Sequence, residues 1–316
     1  MSEYKKIHGI HIQSLASDPS NLGAGQVWYN TTSNQLKITA VLTGAWATGG
    51  NMATARQYPG GLGTQTSGLA VGGTGTPNRA VTEHYDGSAW TNGGSLGSGR
   101  YAAQCAGTQT AGLAAGGNAG GSSVENYDGS SWTTGTSMPT ARYYGQGAGT
   151  DTAALVFGGT GGTPTEEWDG SSWTAGGTMS NSRNTLGGGG TQTSAIAFGG
   201  GYPSTNVTEE YDGSAWTSGG NLSTARMNMA GAAANRDSAL AFGGNANGVP
   251  PTNVTEHYDG SAWTSGGNMA TGRSNLGGLG TLSAGLAFAG YDGTNRPNTS
   301  EEYTGPGITT QICSSS

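Results

Sequence analysis

"TEHYDGSAWT" at residues 82–91 is repeated letter for letter at residues 255–264, 173 positions further on. Three looser copies lie between them: "VENYDGSSWT" from Val124, "TEEWDGSSWT" from Thr165 and "TEEYDGSAWT" from Thr208. A sixth, "SEEYTGPGIT", begins at Ser300. Recurrence at a near-constant interval marks a repeat array, in which small units bury their apolar faces against one another.

Four landmarks keep their order around this cassette. The arginines are Arg56, Arg100, Arg142, Arg183, Arg226 and Arg273. Each is followed by an apolar run ending in glycine: "GLAVGG", "GLAAGG", "ALVFGG", "AIAFGG", "ALAFGG" and "GLAFAG". The glutamates are Glu83, Glu125, Glu166, Glu209, Glu256 and Glu301, and the tryptophans Trp46, Trp90, Trp132, Trp173, Trp216 and Trp263. Successive tryptophans stand 44, 42, 41, 43 and 47 residues apart, the length of one four-stranded propeller blade.

Every segment between landmarks reads as a strand. "VTEHYD" sets Val81, Glu83 and Tyr85 on one face and Thr82, His84 and Asp86 on the other, the alternation of a pleated strand. The Asp-Gly pair that follows, as at Asp86-Gly87, predicts a two-residue hairpin turn. A fourth strand begins at the Trp. Stretches after each Arg, such as "RNTLGGGG", are rich in small residues, which suits an innermost strand crowded around an axis. Each unit is therefore strands a, b, c and d, from the axis outward. The repeated Glu shares a face with a Tyr and needs a partner if buried; the repeated Arg supplies one.

Together, an Arg opening strand a, Gly-Gly closing strand b, an aromatic in strand c and a Trp in strand d resemble kelch repeats. The resemblance runs from residue 46 to about residue 308 and implies an all-β, six-bladed kelch-like β-propeller over residues 46–313. Local departures are Ala289 for the first glycine of a pair, Trp168 for the strand-c Tyr, and Ile308 where a last Trp would stand. Trp46 keeps the ten-residue distance to the next Arg shown by every other Trp. It is thus expected to supply strand d of the last blade and close the ring; "GITTQIC" (residues 307–313) is the competing fourth strand.

Composition narrows the function. The chain has 62 glycines, 10% charged residues and a net charge of −7. Without a period it would read as low complexity. No Lys/Arg cluster exists to track phosphates, so no nucleic-acid partner is expected. Apolar runs fall far short of a membrane span, and "IHGIHIQSLAS" lacks the continuous apolar core of an export signal. Neither membrane insertion nor secretion is expected, and the sequons at Asn206 and Asn253 carry little weight. Cys105 and Cys313 are too few for a disulfide framework and are read as free thiols.

Catalytic and metal constellations are missing, and no cofactor is expected. His8 and His11 lack accompanying Cys or acidic ligands, while His84 and His257 share one repeat slot. Copper radical oxidases of the kelch fold need a Tyr–Cys crosslink and two axial His ligands; here Cys105 is the one inner-strand cysteine, and no inner strand holds a His.

Comparing the repeats locates a variable surface. Trp to the next Arg is always 10 residues, Glu to Trp is 7, and Arg to the second glycine is 17 or 18. From that glycine to the Glu the count runs 10, 8, 7, 9, 12 and 11. Variation therefore concentrates in the b–c connection, which in a propeller shares a face with the d–a connection, and loops on a rigid scaffold are where binding resides. Rich in Asn, Thr, Ser, Gly, Pro and Tyr, these loops suit neutral, hydroxyl-bearing ligands. Arg79, Tyr202, Asn247, Tyr291 and Arg296 are the candidate ligand-binding residues.

Residues 1–45 stand outside the repeat, as a polar linker and two strands, "QVWYN" and "QLKI", joined at "TTSN". The run "GQVWYNTTSNQLK" (residues 25–37) resembles N-terminal segments of bacteriophage tail and other virion proteins, and the "YDGSxW" arrays are similar to phage structural proteins. That resemblance implies a non-enzymatic phage virion structural protein, a tail fibre or adhesin or else a capsid or tail decoration, assembled in the host cytoplasm. Residues 1–45 would attach to other virion proteins, and the propeller face would bind a host-surface glycan or protein, with homo-oligomers possible. The alternatives are a kelch-type interaction scaffold and a kelch-fold carbohydrate-active enzyme or oxidase.

Overall fold

The computed structural model describes residues 12–23, 25–75 and 77–313; His8 and His11 lie outside them. It divides into two compact units, Met1–Gly44 with Pro306–Ser316, and Ala45–Gly305.

The larger unit is propeller-like: six antiparallel four-stranded sheets. In the first, Gly60–Thr64, Ser67–Val71, Thr82–Tyr85 and Trp90–Asn92 pair in sequence order. The inner strands Gly60–Thr64, Gln104–Thr108, Gly145–Gly149, Gly187–Thr191, Ala230–Asn235 and Gly277–Gly280 each pack on the next, and the last packs on the first. Glycine is required at this crowded axis. A Cβ on Gly147 would lie 2.4 Å from the carbonyl oxygen of Cys105, in the neighbouring inner strand, well inside van der Waals contact.

Contacts from each cassette letter explain the repetition. Thr82 accepts a hydrogen bond from the Trp132 indole of the next sheet at 3.0 Å, as Thr165 does from Trp216 and Thr208 from Trp263. Val124 fills that slot in the second sheet, and Trp173 turns instead to the carbonyl of Thr136. Glu83 meets Arg56 in a buried pair, and the other five arginines meet Glu125, Glu166, Glu209, Glu256 and Glu301 in the same way. The Tyr hydroxyl reaches the preceding sheet: Tyr85 to Glu302, Tyr127 to His84, Tyr211 to Glu167, Tyr258 to Glu210 and Tyr303 to His257. Where Trp168 replaces the Tyr, the residue in the partner slot is Asn126. Trp rings pack on strand-b phenylalanines of the preceding sheet, Trp90 on Phe288 and Trp216 on Phe157 with centroids 5.2 and 5.0 Å apart.

The Asp-Gly turn differs from the two-residue hairpin read from the sequence. Tyr85 pairs with Trp90, leaving four residues in the loop. Asp86 Oδ1 accepts from the backbone N–H groups of Ser88 and Ala89, and Gly87 takes φ +92°. One backbone bond remains across the turn, from the Asp86 N–H to the Ala89 carbonyl at 3.2 Å, while the Asp side chain takes the Ala89 N–H that would have made the second.

Ala45–Thr48 pairs with Ser300–Thr304, placing Trp46 opposite Tyr303. The last sheet thus takes its outer strand from the N-terminal side. Gly307–Ile312, counted above with the repeats, pairs instead with Gln35–Leu42.

In the smaller unit that strand completes a sheet in which Val27–Asn30 pairs antiparallel with Gln35–Leu42. Gln13–Leu15, read as linker, adds in parallel to Val27–Asn30, because backbone groups of this stretch find partners there. Asp18 organises the unit. It accepts from Trp28 Nε1 (3.0 Å) and Asn30 Nδ2 (2.7 Å), and pairs with Lys37 at 2.7 Å. These donors hold its carboxyl down at about 2.

Candidate functional site

The variable connections rise from bases that are built alike. Nη1 of each repeated Arg donates to two carbonyls, one closing strand b and one where the b–c loop returns. For Arg56 these are Gly72 and Val81 (3.0 and 2.9 Å), and for Arg226 they are Gly243 and Val254 (2.8 and 3.0 Å). Nη2 holds the Glu. A residue of the d–a connection adds a backbone bond, Met52 to Asn298 or Met269 to Asn253. Asn206, Asn253 and Asn298 also donate their side-chain amides into the d–a connection. The sequon asparagines are therefore loop-base residues. Because the clamp fixes both ends of the loop, what lies between can change length without disturbing the sheet.

Beside these bases the axis is closed by a second ring. The residue two after each Arg is Tyr58, Ala102, Tyr144, Thr185, Asn228 or Asn275. All six have φ between +51° and +62°. Each donates its backbone N–H to the carbonyl of the preceding member, with Tyr58 donating to Asn275, at 2.7 to 3.2 Å. A left-handed backbone costs a non-glycine residue roughly 1–2 kcal/mol; here the cyclic set of hydrogen bonds offsets it. The six residues line one end of an axial cavity of about 170 Å³ walled mostly by glycine and alanine.

Side chains divide this mouth into two halves. On one side Tyr58, Tyr101, Tyr143 and Tyr144 cluster. Tyr58 and Tyr144 have centroids 4.9 Å apart, Tyr101 stands 5.9 and 6.0 Å from the two, and Tyr143 is 4.9 Å from Tyr144. Tyr58 and Tyr144 meet over the small Ala102, and the Tyr58 hydroxyl reaches across to Asn228 Oδ1 at 3.4 Å. On the other side Asn228 donates to Asn245 Oδ1 (3.1 Å) and Asn275 to Gln57 Oε1 (2.9 Å). Asn275 Oδ1 is buried without a hydrogen-bond partner. Burial pushes the Tyr58 phenol up, and burial beside Tyr58 and Tyr101 pushes Tyr144 up further. Both are neutral donors at ordinary pH.

The residues singled out from the sequence fall elsewhere on the loops. Tyr202 is 82% exposed, and Asn247 and Arg296 are exposed at loop tips. Tyr291 is half-buried and donates its hydroxyl to the Gly293 carbonyl at 2.7 Å. Arg79 folds back against its own loop, its Nε buried without a hydrogen-bond partner. None of the five joins the axial cluster. Each ring member stands two residues after its Arg, but residue types there and at the flanking positions vary from repeat to repeat, so the constant spacing is the one sequence signal for the ring. Cys105 is buried on the cavity wall, its thiol pushed up to about 12 by burial, and both it and Cys313 are free.

Compared with protein-family models and with curated proteins, the chain matches none.

Proposed function

We propose that this chain is a six-bladed kelch-like β-propeller acting as a non-enzymatic virion protein, which presents its b–c and d–a face to a host-surface glycan. Six antiparallel sheets with inner strands in cyclic contact support the blade count. The observation that carries the binding reading is the contrast on one face: six alike Arg-clamped bases bearing six loops that share neither length nor sequence. Loop residues with neutral donors and acceptors suit sugar hydroxyls better than ionic groups. The smaller unit, with its "GQVWYNTTSNQLK" strand pair, is the part proposed to attach to other virion proteins. The test is to replace the other five b–c loops with "TGGTPT" (residues 160–165), the shortest of the six. Glycan-array binding should be lost while circular dichroism and melting temperature stay close to wild type. Binding that survives the exchange sinks the reading.

A further inference from the structure

Resting on the glycan reading above, we infer that the sugar is held at the axial mouth, with a pyranose ring packed against the tyrosine half and its hydroxyls on the asparagine half. The chemistry of the two halves carries this. A pyranose has one or two patches of C–H groups and a rim of hydroxyls, so it needs an aromatic surface and neutral amides side by side. Tyr58, Tyr101 and Tyr144 supply rings 4.9 to 6.0 Å apart. Asn228 and Asn275 face them from the opposite arc of the same six-residue ring. Asn275 Oδ1 is an acceptor buried without a partner, a standing cost, and a turn of this side chain toward the mouth on binding would pair it with a ligand hydroxyl. The neutral phenols add donors and no charge.

Placement favours recognition too. The ring residues are fixed by a closed cycle of backbone hydrogen bonds, so the mouth is pre-organised and little ordering is lost on binding. The variable loops surround it and would select among sugars by their rims.

The experiment uses the full chain and methyl glycosides of glucose, galactose, mannose and N-acetylglucosamine. Binding is read by saturation-transfer NMR and by chemical-shift changes of side-chain amides. Tyr58→Asn and Tyr144→Asn are the informative variants. Asn is the residue the fifth and sixth repeats place at this position, and it tolerates the left-handed backbone, so the ring is kept while the aromatic surface goes. Wild-type protein should bind at least one glycoside with shifts at Asn228 and Asn275, and each variant should bind it at least tenfold more weakly with an unchanged fold. Equal affinity in wild type and variants overturns the axial site while leaving the glycan reading standing. Failure of the wild type to bind any saccharide, here and on a glycan array, overturns both.

Discussion

Glu166 faces Arg142 at 3.2 Å, but its Oε2 is buried without a hydrogen-bond partner. The other five glutamates each place that oxygen on a backbone N–H, from Ala53, Gly97, Ser180, Ser223 or Ala270. The equivalent residue in the third repeat is Pro139, which has no N–H to give. Pro139→Ala restores the donor. A hydrogen bond to a charged group contributes about 1.5–3 kcal/mol, and the lost chain restriction costs about 0.4–1 kcal/mol. A net gain near 1 kcal/mol is expected, raising the melting temperature by a few degrees; an unchanged or lower value would show that the orphaned oxygen carries no cost. The intact pairs argue the opposite substitution. Arg183 is 3% exposed and binds Glu209 and three carbonyls, so Arg183→Ala leaves a buried carboxylate without its counter-charge, at about 3–5 kcal/mol. The exposed Arg296, changed to Ala, should cost under about 0.5 kcal/mol. Urea titration of both variants checks the contrast, and equal midpoints would contradict it.

Strand c is the element through which neighbouring sheets communicate, and two of its phenol partners are histidines. Burial lowers the affinity of His84 and His257 for protons. The unfolded chain binds those protons near pH 6.5, so stability is flat above about pH 7 and falls as pH drops through that value. The aspartates of the turns, held below 3.8 by their hydrogen bonds, act in a separate window, their contribution being lost only below about pH 4. Replacing both histidines with Gln should flatten the melting temperature between pH 7.5 and 5.5; a slope like wild type would place the acid sensitivity elsewhere. Much at this scale was legible beforehand. Constant spacings placed strands a to d and the Arg–Glu pairs, because burial forces the same residue types to recur. The Asp-Gly turn was misread in position: Gly87 and Ser88 sit at its tip between Asp86 and Ala89, joined by one backbone bond and by the Asp side chain, and the dipeptide pattern does not encode that side-chain bond. The axial ring was missed for a related reason: a left-handed backbone at Tyr58, Ala102, Tyr144 and Thr185 is imposed by the neighbouring sheet's carbonyl, against the preference of each residue.

Across the whole propeller-like unit, Ala45–Thr48 is the one strand of its sheet contributed from the other end of the sequence. Its Trp46 packs on Phe242 and Tyr303, each at 5.0 Å, and donates to Thr255 at 2.9 Å. Without it the last sheet would end at Ser300–Thr304, whose backbone groups would be open to pairing with another chain. A chain of residues 45–305 retains every strand of the six sheets, whereas residues 49–305 lack this strand. Trp46 is partly buried against the core, so the roughly 3–5 kcal/mol lost with a fully buried Trp is an upper bound on its own share, to which the lost strand pairing adds. The shorter chain should therefore melt well below the longer one and self-associate through the uncovered edge, read by light scattering. Because both chains omit residues 1–44, any difference belongs to the closing strand and not to the attachment segment. Two chains that stay monomeric and melt together would mean that the ring holds without its N-terminal strand.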